Sequence, residues 1–281
     1  MKVPATDPLD RLRGSAPPRG QVALTWFGQA GFGLTDGLAT VLVDPFLAPW
    51  PGRRYEASLA PASATDVDVV CCTHEHIDHF DAGSAPAIAA ASPGAVFVVP
   101  SPIVDMVTEA GIPSDRVLGV QPGEVHVVAG VTLRAVPARH GVTMDDAYGF
   151  GEELSGGQIR FLGYLIEIGG VRVYHAGDTI HYEGMEQTVG ALEPDVALLP
   201  VNGRHAEREA RGIVGNLNER EAAWLAAEIG ASTLVPMHHD LFSGNLGSSA
   251  AVVHAAEEEG RAVSVLVPPR EVPFLVSGRR G

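Results

Sequence analysis

Val67-Asp68-Val69-Val70-Cys71-Cys72-Thr73-His74-Glu75-His76-Ile77-Asp78-His79 is the stretch on which the reading of this chain turns. Its apolar start reads as a buried strand. Directly behind it, His74, His76, Asp78 and His79 put four metal-competent side chains into six residues. Imidazole and carboxylate are the groups that hold zinc and similar divalent ions, and this set is too dense for one tetrahedral structural site. Two adjacent ions are implied, and such a centre demands further ligands elsewhere in the chain.

Three later apolar runs each end in a candidate ligand: Val131 to Pro137 before His140, Val171 to Tyr174 before Asp178, and Ser232 to Met237 before His238 and His239. Functional side chains in α/β folds collect beyond the carboxyl ends of strands, so the recurrence reads as one site built from four strand ends. The set divides into His74, His76 and His140 for one ion and Asp78, His79 and His238 for the other, with Asp178 bridging and room for a shared hydroxide. Side chains alternate along a strand, so only one of His238 and His239 is expected to face the ions. His238 is preferred and His239 stays open as the alternative.

With Trp26-Phe27-Gly28-Gln29-Ala30-Gly31-Phe32, Val43-Asp44-Pro45, His175-Ala176-Gly177-Asp178-Thr179, Pro200-Val201-Asn202-Gly203-Arg204 and Pro236-Met237-His238-His239-Asp240-Leu241-Phe242, the chain resembles the metallo-β-lactamase superfamily. Within it, the chain is similar to the L-ascorbate-6-phosphate lactonase family and related hydrolases, over about Val22 to Asn245. The resemblance implies a mixed α/β (α+β) domain, a four-layer αβ/βα sandwich, with two divalent ions per chain. Relatives usually carry Tyr at the position of His239. The resemblance also places Asn202 and Arg204 near the pocket as substrate-binding residues, arginine being suited to phosphate or carboxylate. Lactonase relatives are associated with manganese and most hydrolases of the superfamily with zinc; ligand type alone admits zinc, manganese or iron. The oxygen-reducing diiron branch has Glu where this chain has His76, which favours a hydrolase over a redox enzyme.

Composition bounds the alternatives. The chain has 281 residues, 46% of them hydrophobic, without a stretch resembling a linker between two cores. One metallo-hydrolase domain is expected over residues 21–281. Residues 1–20, with Pro4, Pro8, Pro17 and Pro18, are expected to be extended or disordered. No secretory h-region and no apolar run of about 18 residues occurs, so a cytoplasmic, non-membrane protein is expected. Cys71 and Cys72, adjacent in one strand, read as small core residues rather than a disulfide. The formal net charge is −15 and the arginines form no stripe, which argues against a nucleic-acid partner. Two dications against Asp78 and Asp178 would still make the pocket cationic, so a small anionic substrate is compatible with the acidic surface. Homo-oligomers, seen among relatives, are a further expectation.

Other chemistries lack their residues. The one lysine is Lys2, and there is neither a G-x-S-x-G elbow nor a Walker loop. Gly28-Gln29-Ala30-Gly31-Phe32-Gly33 lies between apolar β-like runs and reads as a tight strand connection. Strands are expected at Val22–Trp26, Leu38–Val43, Val67–Cys72, Ala95–Val99, Val131–Val136, Phe161–Ile168, Val171–Tyr174, Val196–Leu199, Thr233–Pro236 and Val263–Val267. Helices are expected between Pro102 and Gly111, from Asn218 with its Glu221 capping partner to Gly230, and from about Ser249 to Glu259.

The ligand set points to hydrolysis: paired ions lower the pKa of a bridging water and polarise the bond under attack. Asp78 would orient that nucleophile while binding an ion, and Asp178 would bridge. His181 and His205 are candidate proton donors, although a role at the surface or as a support behind the ligands is the preferred reading of each. The Gly-rich stretch Gly141–Gly157 is long enough to line the pocket as a lid. His126, His175 and His254 read as packing or surface residues. The leading function is a metal-dependent hydrolase of a lactone or phosphorylated sugar-like metabolite. A phosphodiesterase acting on cyclic nucleotides or RNA is the alternative, and a non-catalytic metal-binding protein the second alternative.

Overall fold

Alternation of apolar side chains sets the layers. Along the first strand Val22, Leu24 and Trp26 face one way and Ala23 and Phe27 the other, and both sets are buried. A strand buried on both faces needs a partner layer on each side. The computed structural model describes residues 7–57, 59–141, 154–202, 204, 206–258, 260 and 262–279.

Among these, the strands are β1 Gln21–Gly28, β2 Gly31–Thr35, β3 Thr40–Val43, β4 Val69–Cys71, β5 Val96–Pro100, β6 Val117–Val120, β7 Val125–Val128, β8 Val131–Pro137, β9 Leu154–Ser155, β10 Gln158–Ile159, β11 Leu162–Ile168, β12 Val171–His175, β13 Val196–Pro200, β14 Thr233–Met237, β15 Ser264–Val265 and β16 Phe274–Ser277. The helices are α1 Pro8–Gly14, α2 Ala85–Ala91, α3 Val104–Glu109, α4 Met185–Gly190, α5 Ala206–Ala210, α6 Glu219–Glu228 and α7 Ser249–Glu258. Two seven-stranded sheets form, in the orders β16-β1-β2-β3-β4-β5-β6 and β15-β14-β13-β12-β11-β8-β7, with β9 and β10 a separate hairpin.

The central core lies between the sheets, where Val22, Trp26, Val43 and Cys71 of the first meet Leu133, Tyr164, Val173 and Met237 of the second. The outer face of the first sheet packs with α1, α2 and residues around α3 through Leu9, Leu12, Ile88 and Val107. The outer face of the second packs with α4 and α6 through Met185, Val189, Leu225 and Ala226. This is the αβ/βα sandwich. Cys71 joins the central core and Cys72 the outer one, so the two thiols point to opposite faces and stay free. No helix among the described residues is long and apolar enough to cross a membrane.

Strand direction positions the site. β3, β4, β5 and β6 run parallel, as do β12, β13, β14 and β15, while β11 is antiparallel to both β8 and β12. β8, β12, β13 and β14 therefore end at one edge of the second sheet. The residues that follow them are His140, Asp178, Asn202 and His238.

From Asp7 to Gly14 the chain departs from the extended segment expected over residues 1–20, of which residues 1–6 lie outside the described residues. Asp7 caps α1 by accepting from the Leu9 N–H at 2.8 Å, Pro8 occupies the first turn, and Leu9 and Leu12 are fully buried. Pro at a helix start sacrifices no intrahelical bond, so this proline opens a helix instead of preventing one. Leu12 fits because β2 has Gly33 beneath it: a Cβ there would stand 2.8 Å from Leu12 Cδ2. Leu12→Ala should lower stability to denaturant by about 2–5 kcal/mol. A solvated tail would leave the unfolding midpoint unchanged.

Candidate metal centre

Each ligand sits in a loop that leaves a strand at the shared edge. After β4 the chain carries His74, His76, Asp78 and His79, and His140, Asp178 and His238 arrive after β8, β12 and β14. Two groups result: His74, His76, His140 and Asp178, and beside them Asp78, His79 and His238, each able to offer one ligand atom within 4.8 Å of its fellows. All seven residues read from the sequence as candidate ligands are thus brought together, Asp178 grouping with His74, His76 and His140.

The Asp178 carboxylate joins the groups. Its Oδ2 is 3.5 Å from His140 Nε2, while its Oδ1 is 3.5 Å from His79 Nε2 and 3.3 Å from His238 Nε2. His238 Nε2 is also 3.2 Å from Asp78 Oδ2. Two ligand atoms about 2.1 Å from a tetrahedral ion stand about 3.4 Å apart, so these separations are those of atoms around a cation. Asp178 Oδ1 and His79 Nε2 are buried and make no hydrogen bond. Uncompensated buried polar atoms are costly, and a cation satisfies them. Donor types, spacing and these buried atoms fit divalent metal.

Hydrogen bonds behind the ligands aim them. His79 Nδ1–H donates to Asp44 Oδ2 at 2.7 Å, and His140 Nδ1–H donates to the Gly215 carbonyl at 2.6 Å, so both rings turn Nε2 inward. Asp44 also accepts from the Thr73 N–H and the Thr73 hydroxyl, both at 2.8 Å, and Thr73 Oγ1 lies 3.1 Å from His74 Nδ1. Gly177 lets the loop before Asp178 close: at φ +62° a Cβ would stand 2.6 Å from the Leu162 carbonyl oxygen. Phe161 packs its ring 5.4 Å from that of His74 and 5.5 Å from that of His140, walling one side with hydrocarbon.

Electrostatics divide the groups. Burial, with His79 and His76 nearby, pushes His74 well below the ordinary imidazole value, and burial beside His140 takes His76 down to about 3. Burial also disfavours charge on His79 and His238, but Asp178 with Asp44 and Asp78 around the first, and Asp178 with Asp78 around the second, raise both. Against their own burial, His238, His79 and His140 hold Asp178 well below the usual carboxylate range, and His79 and His238 do the same for Asp78.

The structure chooses between the adjacent histidines, although not by strand alternation. β14 ends at Met237, and His238 takes a left-handed φ of +59° that turns its ring into the cluster. The His239 ring instead lies 5.2 Å from the Trp26 ring, and its Nε2 is buried without a hydrogen bond.

Other sequence-read residues lie outside the two groups. Asn202, buried after β13, donates from Nδ2 to Asn245 Oδ1 at 2.7 Å. Arg204 is committed to carboxylates, Glu221 at 2.7 Å and Glu209 at 2.9 Å. His181 pairs with Glu186 at 2.9 Å and meets the Trp224 ring edge-on at 5.0 Å. His175 is buried on the Ala30 carbonyl, 2.8 Å from Nε2, while His126 and His254 pair with Glu124 and Glu258 nearer the surface. His205 and residues 142–153 of the Gly-rich stretch lie outside the described residues. Glu75, between two ligands, pairs with Arg160.

Sequence reading missed two supports. Asp44 follows the apolar run Thr40–Val43, so the rule that found His140, Asp178 and His238 also reaches it. Gln29 follows β1 in the two-residue connection to β2 and donates from Nε2 to Asp78 Oδ2 at 2.8 Å. Only its place in a glycine-flanked turn hints at such a role.

A family model described as the beta-lactamase superfamily domain matches residues 39–239. A UPF0173 metal-dependent hydrolase of Methanoculleus marisnigri is 33% identical over 219 residues, covering 78% of this chain and 81% of that relative. Another, from Rubrobacter xylanophilus, is 31% identical over 250 residues, covering 88% and 94%. Igni18, a metallo hydrolase of Ignicoccus hospitalis with a solved structure, shares the fold at TM-score 0.67 and 24% identity, covering 92% of this chain and 100% of its own. The chain belongs to the metallo-β-lactamase superfamily, among its UPF0173 metal-dependent hydrolases.

Two measurements follow from the geometry. Metal ligands must be deprotonated. His79 and His238 hold protons above the ordinary imidazole value, so an ion beside them displaces protons and binds more weakly as pH falls. His74 and His76 compete less. Metal analysis across a descending pH series should show occupancy falling as pH falls; occupancy independent of pH would contradict metal binding beside His79 and His238. Asp44→Asn, which tolerates the left-handed φ of +46°, should weaken metal binding by about tenfold in a chelator competition.

Proposed function

We propose that this metal-dependent hydrolase is dinuclear and opens a lactone or a related small, sugar-like metabolite ester. The observation that carries the reading is the Asp178 carboxylate, one oxygen facing His140 and the other facing His79 and His238. His74, His76 and His140 would hold one ion, Asp78, His79 and His238 the other, with Asp178 shared. Zinc suits the imidazole-rich donors best, with manganese and iron as alternatives. Bound divalent ions supply Lewis acidity and bring the pKa of a coordinated water toward neutrality.

The chain's own groups prepare that chemistry. Asp78 and Asp178 are held ionised, so each can accept a hydrogen bond from an attacking water and orient it. Phe161 and the packed imidazoles restrict competing solvent along one wall. Arg204, read from the sequence as the anion binder, is neutralised by Glu209 and Glu221. That pairing favours the unphosphorylated cyclic ester over its phosphorylated counterpart as substrate. Phosphodiester hydrolysis is the second reading, since the same ligand set serves it.

A screen of lactones, phosphodiesters and thioesters with zinc-loaded and manganese-loaded protein tests the proposal. Lactone turnover that falls by two or more orders of magnitude in Asp178→Asn is expected. Turnover of bis-p-nitrophenyl phosphate without lactone opening would transfer the assignment to phosphodiesters, and inertness toward every ester class at full metal occupancy would end the catalytic reading.

A further inference from the structure

Gln29 occupies the two-residue connection between β1 and β2 in a conformation that few side chains tolerate. Its φ is +52°, and the residue is 1% exposed. A strained residue persists only where its surroundings over-determine it. Here the carbonyl accepts from Trp26 Nε1–H at 3.0 Å and from the His238 N–H at 2.9 Å. The Gln29 N–H donates to Asp240 Oδ1 at 3.3 Å, and the same oxygen accepts from the Tyr55 hydroxyl at 2.8 Å. Both ends of the peptide unit are therefore clamped, and the clamp fixes where the side chain goes.

It goes to the metal centre. Gln29 Nε2 is 2.8 Å from Asp78 Oδ2, 3.0 Å from His238 Nε2 and 3.3 Å from His238 Nδ1. Asp78 Oδ2 and His238 Nε2 are atoms through which those residues would bind an ion. Coordination uses the His238 Nε2 lone pair, leaving an amide N–H2 without that acceptor. Turning the carboxamide over exchanges nitrogen for oxygen with almost no change of shape. Ligand atoms about 2.1 Å from an ion and at right angles lie about 3.0 Å apart, the spacing found between the Gln29 terminus and its two neighbours. A glutamine carbonyl is an established oxygen donor for hard cations and adds no charge.

We propose that Gln29 is an additional ligand of this centre, binding through Oε1 the same divalent ion as Asp78, His79 and His238. The inference rests on the dinuclear reading above. It makes the two positions chemically unequal. His74, His76 and His140 with one Asp178 oxygen form a nitrogen-rich set, whereas Gln29, Asp78 and Asp178 add three oxygens to His79 and His238. Nitrogen-rich donors suit zinc and oxygen-rich donors suit manganese, so the Gln29 position is the one that takes manganese when both metals are offered.

Stripped protein titrated with cobalt(II) and with manganese(II) alone provides the test, read by calorimetry and by the visible absorption of cobalt. Wild type is expected to bind two ions. Gln29→Ala should retain the first, bind the second roughly tenfold or more weakly, and alter the absorption of that second cobalt. Gln29→Glu, which restores an oxygen, should recover the second ion. Gln29→Leu keeps the volume and is read in the same way should the alanine variant not fold. Two ions bound by Gln29→Ala or Gln29→Leu with wild-type affinity and an unchanged spectrum would overturn the role of Gln29 alone. A wild-type protein binding only one ion would overturn the dinuclear reading with it.

Discussion

The carboxylate of Asp178, with one oxygen toward each histidine group, is the contact on which the rest of the site depends. A buried carboxylate facing three imidazoles is tolerable only when charge and lone pairs are shared among them. The sandwich provides the place. Parallel strands of the second sheet bring His140, Asp178 and His238 to one edge, and the loop after β4 of the first brings the remaining ligands opposite. Behind them, Asp44, the Gly215 carbonyl and Thr73 determine which ring nitrogen turns inward.

Three non-glycine residues around this centre adopt left-handed backbone: Gln29, Asp44 and His238, at φ of +52°, +46° and +59°. Each follows directly after a strand or lies in the turn beyond it. Such a conformation departs from the alternation of a regular strand, which is how His238, and not its neighbour, joins the candidate metal cluster. Their strain is offset by hydrogen bonds, and two of the three residues bond to each other: the His238 N–H donates to the Gln29 carbonyl.

Much of the sandwich was legible because the sheets are buried on both faces and their strands stand out as apolar runs ending in polar punctuation. β2, Gly31–Thr35, was not read as a strand, because three of its residues are Gly or Thr and its glycines serve the neighbours packed over them. α1 is hard to see in the sequence because a proline at a helix start looks the same as a proline in an extended segment. The ligands were legible because chemistry requires His and Asp in a recognisable order. Asp44 and Gln29 escaped, since their importance lies in what they bond, and an isolated Asp or Gln after a strand has no distinctive spacing. Arg204 shows the converse: its residue type suggested an anion site, yet Glu209 and Glu221, one of them part of the α6 capping box, neutralise it.

His74, His76, Asp78 and His79 leave the first sheet, and His140, Asp178 and His238 leave the second, so neither layer holds a full coordination sphere. An ion bound there is a rivet through the seam between the sheets. By mass action, anything that binds the assembled protein but not its separated parts adds to the cohesion of the whole. Free metal around this protein would thereby add to its resistance to unfolding, acting along the line where its two layers meet.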